Sequence, residues 1–154
     1  MPFETLTPHQ PDLPQAAPEA LRASAFMGLW QVRRRLVDHL GQTHLAFTGQ
    51  ARIGADSFTE TGELHSNRGV MESKRFYLLA MDDTGADVRF AGGSDFIRLD
   101  LAPDQRVAHH CGDDLYEGRF LFRSLDCFIE FWRVAGPRKR YASLTRYERI
   151  PATP

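Results

Sequence analysis

The stretch LAFTGQARI, Leu45 to Ile53, alternates without a break. Leu45, Phe47, Gly49, Ala51 and Ile53 fall on one face, and Ala46, Thr48, Gln50 and Arg52 on the other. A period of two is the signature of a β-strand with one dry face and one wet face. The pattern extends in both directions. LWQVRRRLVD places Trp30, Val32, Arg34 and Leu36 together. DLYEGRFLFR aligns Tyr116, Gly118, Phe120 and Phe122, and RYASLTRYER aligns Tyr141, Ser143, Thr145, Tyr147 and Arg149. Less regular strands are expected at 57–64, 70–81, 86–91, 95–101, 105–111 and 127–135.

Turn sequences separate these segments: DHLGQ, IGADS, DDTGAD, AGGSD, APDQ and AGPRK. No helical pattern of crossover length lies between them, so parallel βαβ units are excluded. About ten strands joined by short links make an antiparallel meander. Closing it into a single up-and-down β-barrel removes the exposed edges. A two-sheet β-sandwich is the alternative. Before the first strand, five of the nine prolines fall in residues 1–18, so 1–17 reads as an extended arm. PEALRASAF then suits a short N-terminal helix that ends before Gly28, opening a barrel domain over 18–154.

With 154 residues the chain is read as one folded domain. Its net charge of −1 gives no electrostatic footprint for nucleic acid or an anionic membrane. Cys111 and Cys127 make no disulfide framework and are expected as free buried thiols. The start MPFETLTPHQPDLP has neither the basic nor the apolar part of a secretory signal. No run is long enough for a membrane helix. The expected location is cytoplasmic.

Several motifs carry a resemblance. GLW at the head of the first strand resembles the G-x-W opening of lipocalin-type (calycin) barrels, where a basic residue of the last strand stacks on the Trp. Arg149 is then the partner of Trp30, and both are structural. FTGQARI, HHCGDDLYEGRF and WRVAGPRKRYASLTRYER resemble an uncharacterised bacterial domain-of-unknown-function family, number 6314, over roughly residues 26–150. The resemblance implies a calycin-like barrel and no reaction. Gly92, Ser94 and Ile97 of AGGSDFI stand where that family's pattern has Asp, Arg and His, and Arg140 where it has Asp.

The inward face implied by the alternation carries Arg34, Arg75, His109, Tyr116, Tyr141, Ser143, Thr145, Tyr147 and Arg149. Glu130 joins it if Trp132 faces in. An unpaired buried charge costs several kcal/mol, so interior arginines need partners. With Arg149 on Trp30 and Glu130 pairing one more, at least one guanidinium is left over. A bound anion would satisfy it. Alternatively, Arg34 or Arg75 reaches water at a barrel mouth.

HHCGDDLYEGRF places His109 and Cys111 on one strand face, with Asp113 and Asp114 in the turn beyond. A zinc site would need a further ligand such as Cys127, and no C-x-x-C or H-x-x-x-H spacing supports one. No metal and no cofactor, haem on His109 included, is therefore expected. His109, Asp114 and Tyr116 are the catalytic candidates, as an acid–base group, and Cys111 is a weaker nucleophile candidate. The structural alternative is an ordinary hairpin about Gly112. GPRKRY is either a phosphate-gripping tip or a solvated loop.

Three functions stay open. The first is binding of a small anionic or amphipathic molecule inside the barrel. Arg34, Arg75 and Tyr147 would hold the head, Tyr116, Phe120, Phe122 and Trp132 would line the body, and His109 would give a pH-sensitive hydrogen bond. The second is a small hydrolase or isomerase using His109, Asp114 and Tyr116. The third is an interaction module with a filled barrel. Ile97, Leu99 and Leu101, with Ile129 and Phe131, would form an outward apolar patch and a homodimer surface unless the N-terminal helix covers them.

Overall fold

The computed structural model describes residues 22–153. The arm at 1–17 and the first four residues of the expected helix, 18–21, lie outside them. The part of the helix that is described is a single 3-10 turn, Ala23–Phe26, with Met27 already extended. Packing explains the shorter element. Ala23 and Phe26 are both buried, and the indole N–H of Trp30 donates to the Phe26 carbonyl at 2.9 Å.

Ten strands follow: β1 (Gly28–Asp38), β2 (Thr43–Ile53), β3 (Ser57–Ser66), β4 (Gly69–Asp82), β5 (Gly85–Phe90), β6 (Asp95–Asp100), β7 (Asp104–Cys111), β8 (Asp114–Ser124), β9 (Cys127–Ala135) and β10 (Arg140–Arg149). They form one antiparallel sheet in the order β6-β5-β4-β3-β2-β1-β10-β9-β8-β7. First and last strands pair, Trp30 opposite Arg149, so the meander closes on itself rather than splitting into a sandwich. One seam stays without a hydrogen-bonded ladder, between β6 and β7, which lie side by side. There Gln105 substitutes for the ladder. Its buried amide donates to the carbonyls of Asp100 and Ala102 and accepts from the Asp100 N–H at 2.8 Å.

The alternation seen in the sequence becomes inside and outside. Trp30, Val32, Phe47, Ala51, Ile53, Phe128 and Tyr147 pack with Phe26 into the core at one end of the barrel. Each large apolar side chain buried this way contributes roughly 1.5–3 kcal/mol. That end is sealed by Arg149. Its guanidinium lies 4.5 Å over the Trp30 ring and donates to the carbonyls of Ala25, Met27 and Leu125. Gly49 faces Gly62 across β2 and β3, where a Cβ on either would collide with backbone of the other strand. The Phe47 ring lies over the pair.

Two expectations are corrected here. Ile97 and Leu99 do not face outward. The β5–β6 register slips between Val88 and Arg89, so that Val88 pairs with Ile97 and Arg89 with Asp95. This bulge lets Phe96 and Ile97, consecutive residues, both line the interior, with Leu99 and Leu101 beside them. The outward patch on this side therefore does not form. Phe131 does remain on the outer surface, opposite the half-exposed Leu144. Secondly, the thiols are not both buried: Cys111 is exposed and Cys127 intermediate. They lie at opposite ends of β8, Cys111 opposite Asp114 and Cys127 opposite Ser124.

Candidate functional site

The middle of the barrel is crossed by a belt of charged and hydroxyl side chains. β1 supplies Arg34, β3 Glu60, β4 Arg75, β9 Glu130 and β10 Thr145 and Tyr147. All stand at inward positions of their strands. Arg34 forks onto Glu60, with Nη1 2.7 Å from Oε1 and Nη2 2.9 Å from Oε2, while its Nε donates to Thr145 at 2.7 Å. Arg75 donates through Nη2 to Glu130 at 3.2 Å and to the Tyr147 hydroxyl at 2.7 Å. That hydroxyl in turn donates a hydrogen bond to Glu130 at 2.7 Å. The Trp132 indole N–H also donates to Glu130.

Glu60 is 2% exposed and Glu130 5%. Burial opposes the charge on Glu130, but Arg75, Arg34 and the hydrogen bonds from Trp132 and Tyr147 outweigh it and hold the carboxyl down at about 2. Burial likewise opposes the charge on Arg75, yet Glu130, Tyr147 and Glu60 raise its pKa well above the ordinary value. Burial, reinforced by Glu130, pushes the Tyr147 phenol up. The belt is therefore two guanidinium cations, two carboxylates and a neutral phenol. Its charges cancel, so the expected surplus guanidinium does not exist. Glu60 is the missing partner. Period two would have placed it inward between Phe58 and Gly62, but a lone glutamate in an irregular strand reads as solvated. One group is still unsatisfied: Arg75 Nε is buried without a hydrogen-bond partner.

The belt separates two cavities. On the sealed-end side is an apolar chamber of about 120 Å³, lined by Phe26, Phe58, Leu79, Val88, Phe120 and Phe128 among others. Beyond the belt is a space of about 180 Å³ bordered by Arg34, Leu36, Tyr116, Tyr141 and Ser143. Arg75, Tyr77, Phe96 and Trp132 border both. Trp132 can lie flat against β8 because Gly118 has no side chain; a Cβ there would sit 2.8 Å from the indole.

The binding candidates are divided between these spaces. Arg75, Phe120, Phe122, Trp132 and Tyr147 line the apolar chamber, and Arg34, Arg75, Tyr116 and Trp132 the second one. His109 lines neither; its ring stands edge-on to Phe96 at 5.3 Å and Phe90 at 5.5 Å. The catalytic candidates are not assembled. His109 and Tyr116 are cross-strand neighbours, but among the described residues no hydrogen bond joins His109 to Asp114. Asp114 sits against Gly136, 3.8 Å from Lys139, whose ammonium also donates to the Tyr116 hydroxyl. Gly112, with φ of 61°, turns β7 directly into β8, so HHCGDDLYEGRF is a tight hairpin. Among the described residues no cluster of three His, Cys, Asp or Glu side chains could hold a metal. Tyr77, Phe96 and Phe58 were not singled out by the sequence, since aromatics on strands read as core.

Residues 26–149 match a family model described as a family of unknown function, DUF6314. The chain belongs to that family. No curated protein matches it. Among solved structures, the DUF6314 barrel is similar to the S-type phycobiliprotein lyase CPES of Guillardia theta. Identity is 12%, the TM-score 0.59, and the match covers 84% of this chain and 91% of the lyase. It is also similar to a protein of unknown function from the DUF3598 family of Nostoc punctiforme PCC 73102, at 11% identity and a TM-score of 0.57. That match covers 85% of this chain and spans half of the Nostoc chain. At such identities the likeness shows the fold alone. No helix among the described residues is long and apolar enough to cross a membrane.

Proposed function

We propose that this barrel binds a small amphipathic molecule, its apolar body in the chamber and a hydrogen-bond acceptor turned to Arg75. The observation that carries the reading is a largely apolar cavity bordered by Arg75, whose buried Nε lacks a hydrogen-bond partner. A donor left unsatisfied in such a place costs about 1–3 kcal/mol, which an acceptor on a ligand would recover. The anionic alternative is disfavoured, because Glu60 and Glu130 already balance Arg34 and Arg75. A filled interaction module is disfavoured by the two cavities. Enzymatic use of His109, Asp114 and Tyr116 lacks an assembled acid–base pair. The likeness to the lyase lends the fold and says nothing of the ligand. Free thiols suit a reducing, cytoplasmic setting. Self-association through Phe131 and Leu144 belongs to the proposal as well, with sedimentation as its test.

Isothermal titration with neutral acetophenone, a single ring carrying a carbonyl acceptor, tests the binding site, alongside native mass spectrometry of the protein purified from cells. Saturable one-to-one binding is expected, lost in a folded Leu79→Trp variant whose indole fills the chamber. Binding that is unaffected by Leu79→Trp would place the probe elsewhere and end the proposal.

A further inference from the structure

The chamber is small. An engineered cavity of about 150 Å³ holds one benzene ring, so a space of about 120 Å³ accommodates a single ring at most. A second space of about 180 Å³ lies just beyond. Beside the charged belt, Phe96 also stands between them. Its ring is stacked on Tyr77 at 5.5 Å and 18° on one side, and on Trp132 at 5.3 Å and 17° on the other. Three near-parallel rings thus cross the barrel, and all three border both cavities.

The middle ring also stands on the least tied backbone of the three. Trp132 is 8% exposed, lies on Gly118 and donates to Glu130. Tyr77 sits in a long strand paired on both sides, with the Arg75 guanidinium 5.5 Å from its ring. Phe96 is the extra residue of a bulge, without a partner in the β5–β6 register. Its strand is hydrogen-bonded on one side only. Just before it comes Gly92-Gly93, with Gly93 at φ of 93°. Bulges re-aim single side chains and loosen the local ladder. Phe96 packs against Phe90 at 4.6 Å within its own sheet half and meets His109 at 5.3 Å and Tyr116 at 6.3 Å across the seam, where no ladder bond ties β6 to β7.

We propose that the slot between Tyr77 and Trp132 is a stacking site for a planar conjugated molecule, which Phe96 occupies as a stand-in until the ligand displaces it toward the β6–β7 seam. The proposal rests on the chamber-binding reading and adds the ligand's class and its path. With Phe96 out, the two cavities join into one slot long enough for a fused or extended ring system. Arg75 Nε then faces a carbonyl or ring acceptor at the ligand's edge, and the neutral belt favours an uncharged ring system. No covalent step is involved.

The test compares wild type with Phe96→Ala, Phe96→Leu and Phe96→Trp, titrated with N-phenyl-1-naphthylamine and followed by probe emission and tryptophan quenching. Circular dichroism checks folding. If the Phe96-out state is about a tenth populated or less, removing the ring raises apparent affinity about tenfold or more. Phe96→Ala is therefore expected to bind at least tenfold more tightly and Phe96→Trp no more tightly than wild type. Should Phe96→Ala not fold, Phe96→Leu decides on the same criterion. Wild-type binding that is equalled or weakened in the folded smaller variants would overturn the stand-in role and leave the chamber reading intact. Absence of naphthylamine binding in every variant would overturn the stacking site, and absence of acetophenone binding as well would overturn both.

Discussion

Replacing Glu130 by Gln changes one atom and removes one of the four belt charges. The shape is kept, so Trp132 retains an acceptor, but Arg34 and Arg75 are left with Glu60 alone. The cost follows from proton linkage. The Glu130 carboxyl is held at about 2 against an ordinary 4.5. At about 1.36 kcal/mol per pH unit, its ionised form stabilises the fold by roughly 3 kcal/mol at neutral pH. That agrees with the roughly 3–5 kcal/mol lost when one partner of a buried ion pair is removed. The sign is fixed: the folded-state pKa is depressed, so the contribution is complete above about pH 4.5 and fades as pH falls toward 2. Urea denaturation of wild type and Glu130→Gln, followed by far-UV circular dichroism, should show a gap of roughly 3 kcal/mol at pH 7, narrowing to about half of that or less near pH 3. Other carboxylates titrate in both proteins and cancel in the difference. A gap below about 1 kcal/mol at pH 7, or one that does not narrow in acid, would refute the claim that this carboxylate is the ionised partner of Arg75.

The same variant should acquire an anion preference. With one guanidinium uncompensated, Glu130→Gln should gain affinity for anionic 8-anilinonaphthalene-1-sulfonate relative to the neutral naphthylamine, measured side by side. Tyr147→Phe removes a hydroxyl that accepts from Arg75 and donates to Glu130. A loss of about 1–3 kcal/mol in the denaturation midpoint analysis is expected. Gly118→Ala pushes a methyl into the Trp132 ring and Val107. It should cost about 1–3 kcal/mol and alter the near-UV circular dichroism of the indole. Arg149→Met strips a cation from the Trp30 face and leaves three carbonyls without their donor. Its stability should drop by about 1–3 kcal/mol, with Trp30 emission shifting to the red as that end opens.

The barrel itself was legible because strict alternation, as in Leu45–Ile53, survives any tertiary arrangement with one wet face. Trp30 and Arg149 could be matched because GLW resembles the opening of calycin barrels, in which a basic residue of the last strand stacks on the Trp. The charge balance was not legible, because it turned on Glu60, whose partner is a guanidinium from a strand 26 residues earlier. Nor was the facing of Ile97 and Leu99. A one-residue bulge at Phe96 inverts every later side chain of β6, and no local composition marks where such a slip occurs. His109 illustrates a different limit. Its half-buried ring, packed among Phe90, Phe96 and Tyr116, has the same sequence signature as one poised over a substrate.

The amide of Gln105 has a consequence for solubility. A cylinder of this kind is a strip bent into a hoop, and here one side chain fastens the join near the start of β7. Unfastened, β6 and β7 would present two rows of bare peptide groups to other copies, the template from which strand-by-strand aggregation grows. A single carboxamide thus stands guard over the colloidal behaviour of the whole chain, from a position that touches neither cavity.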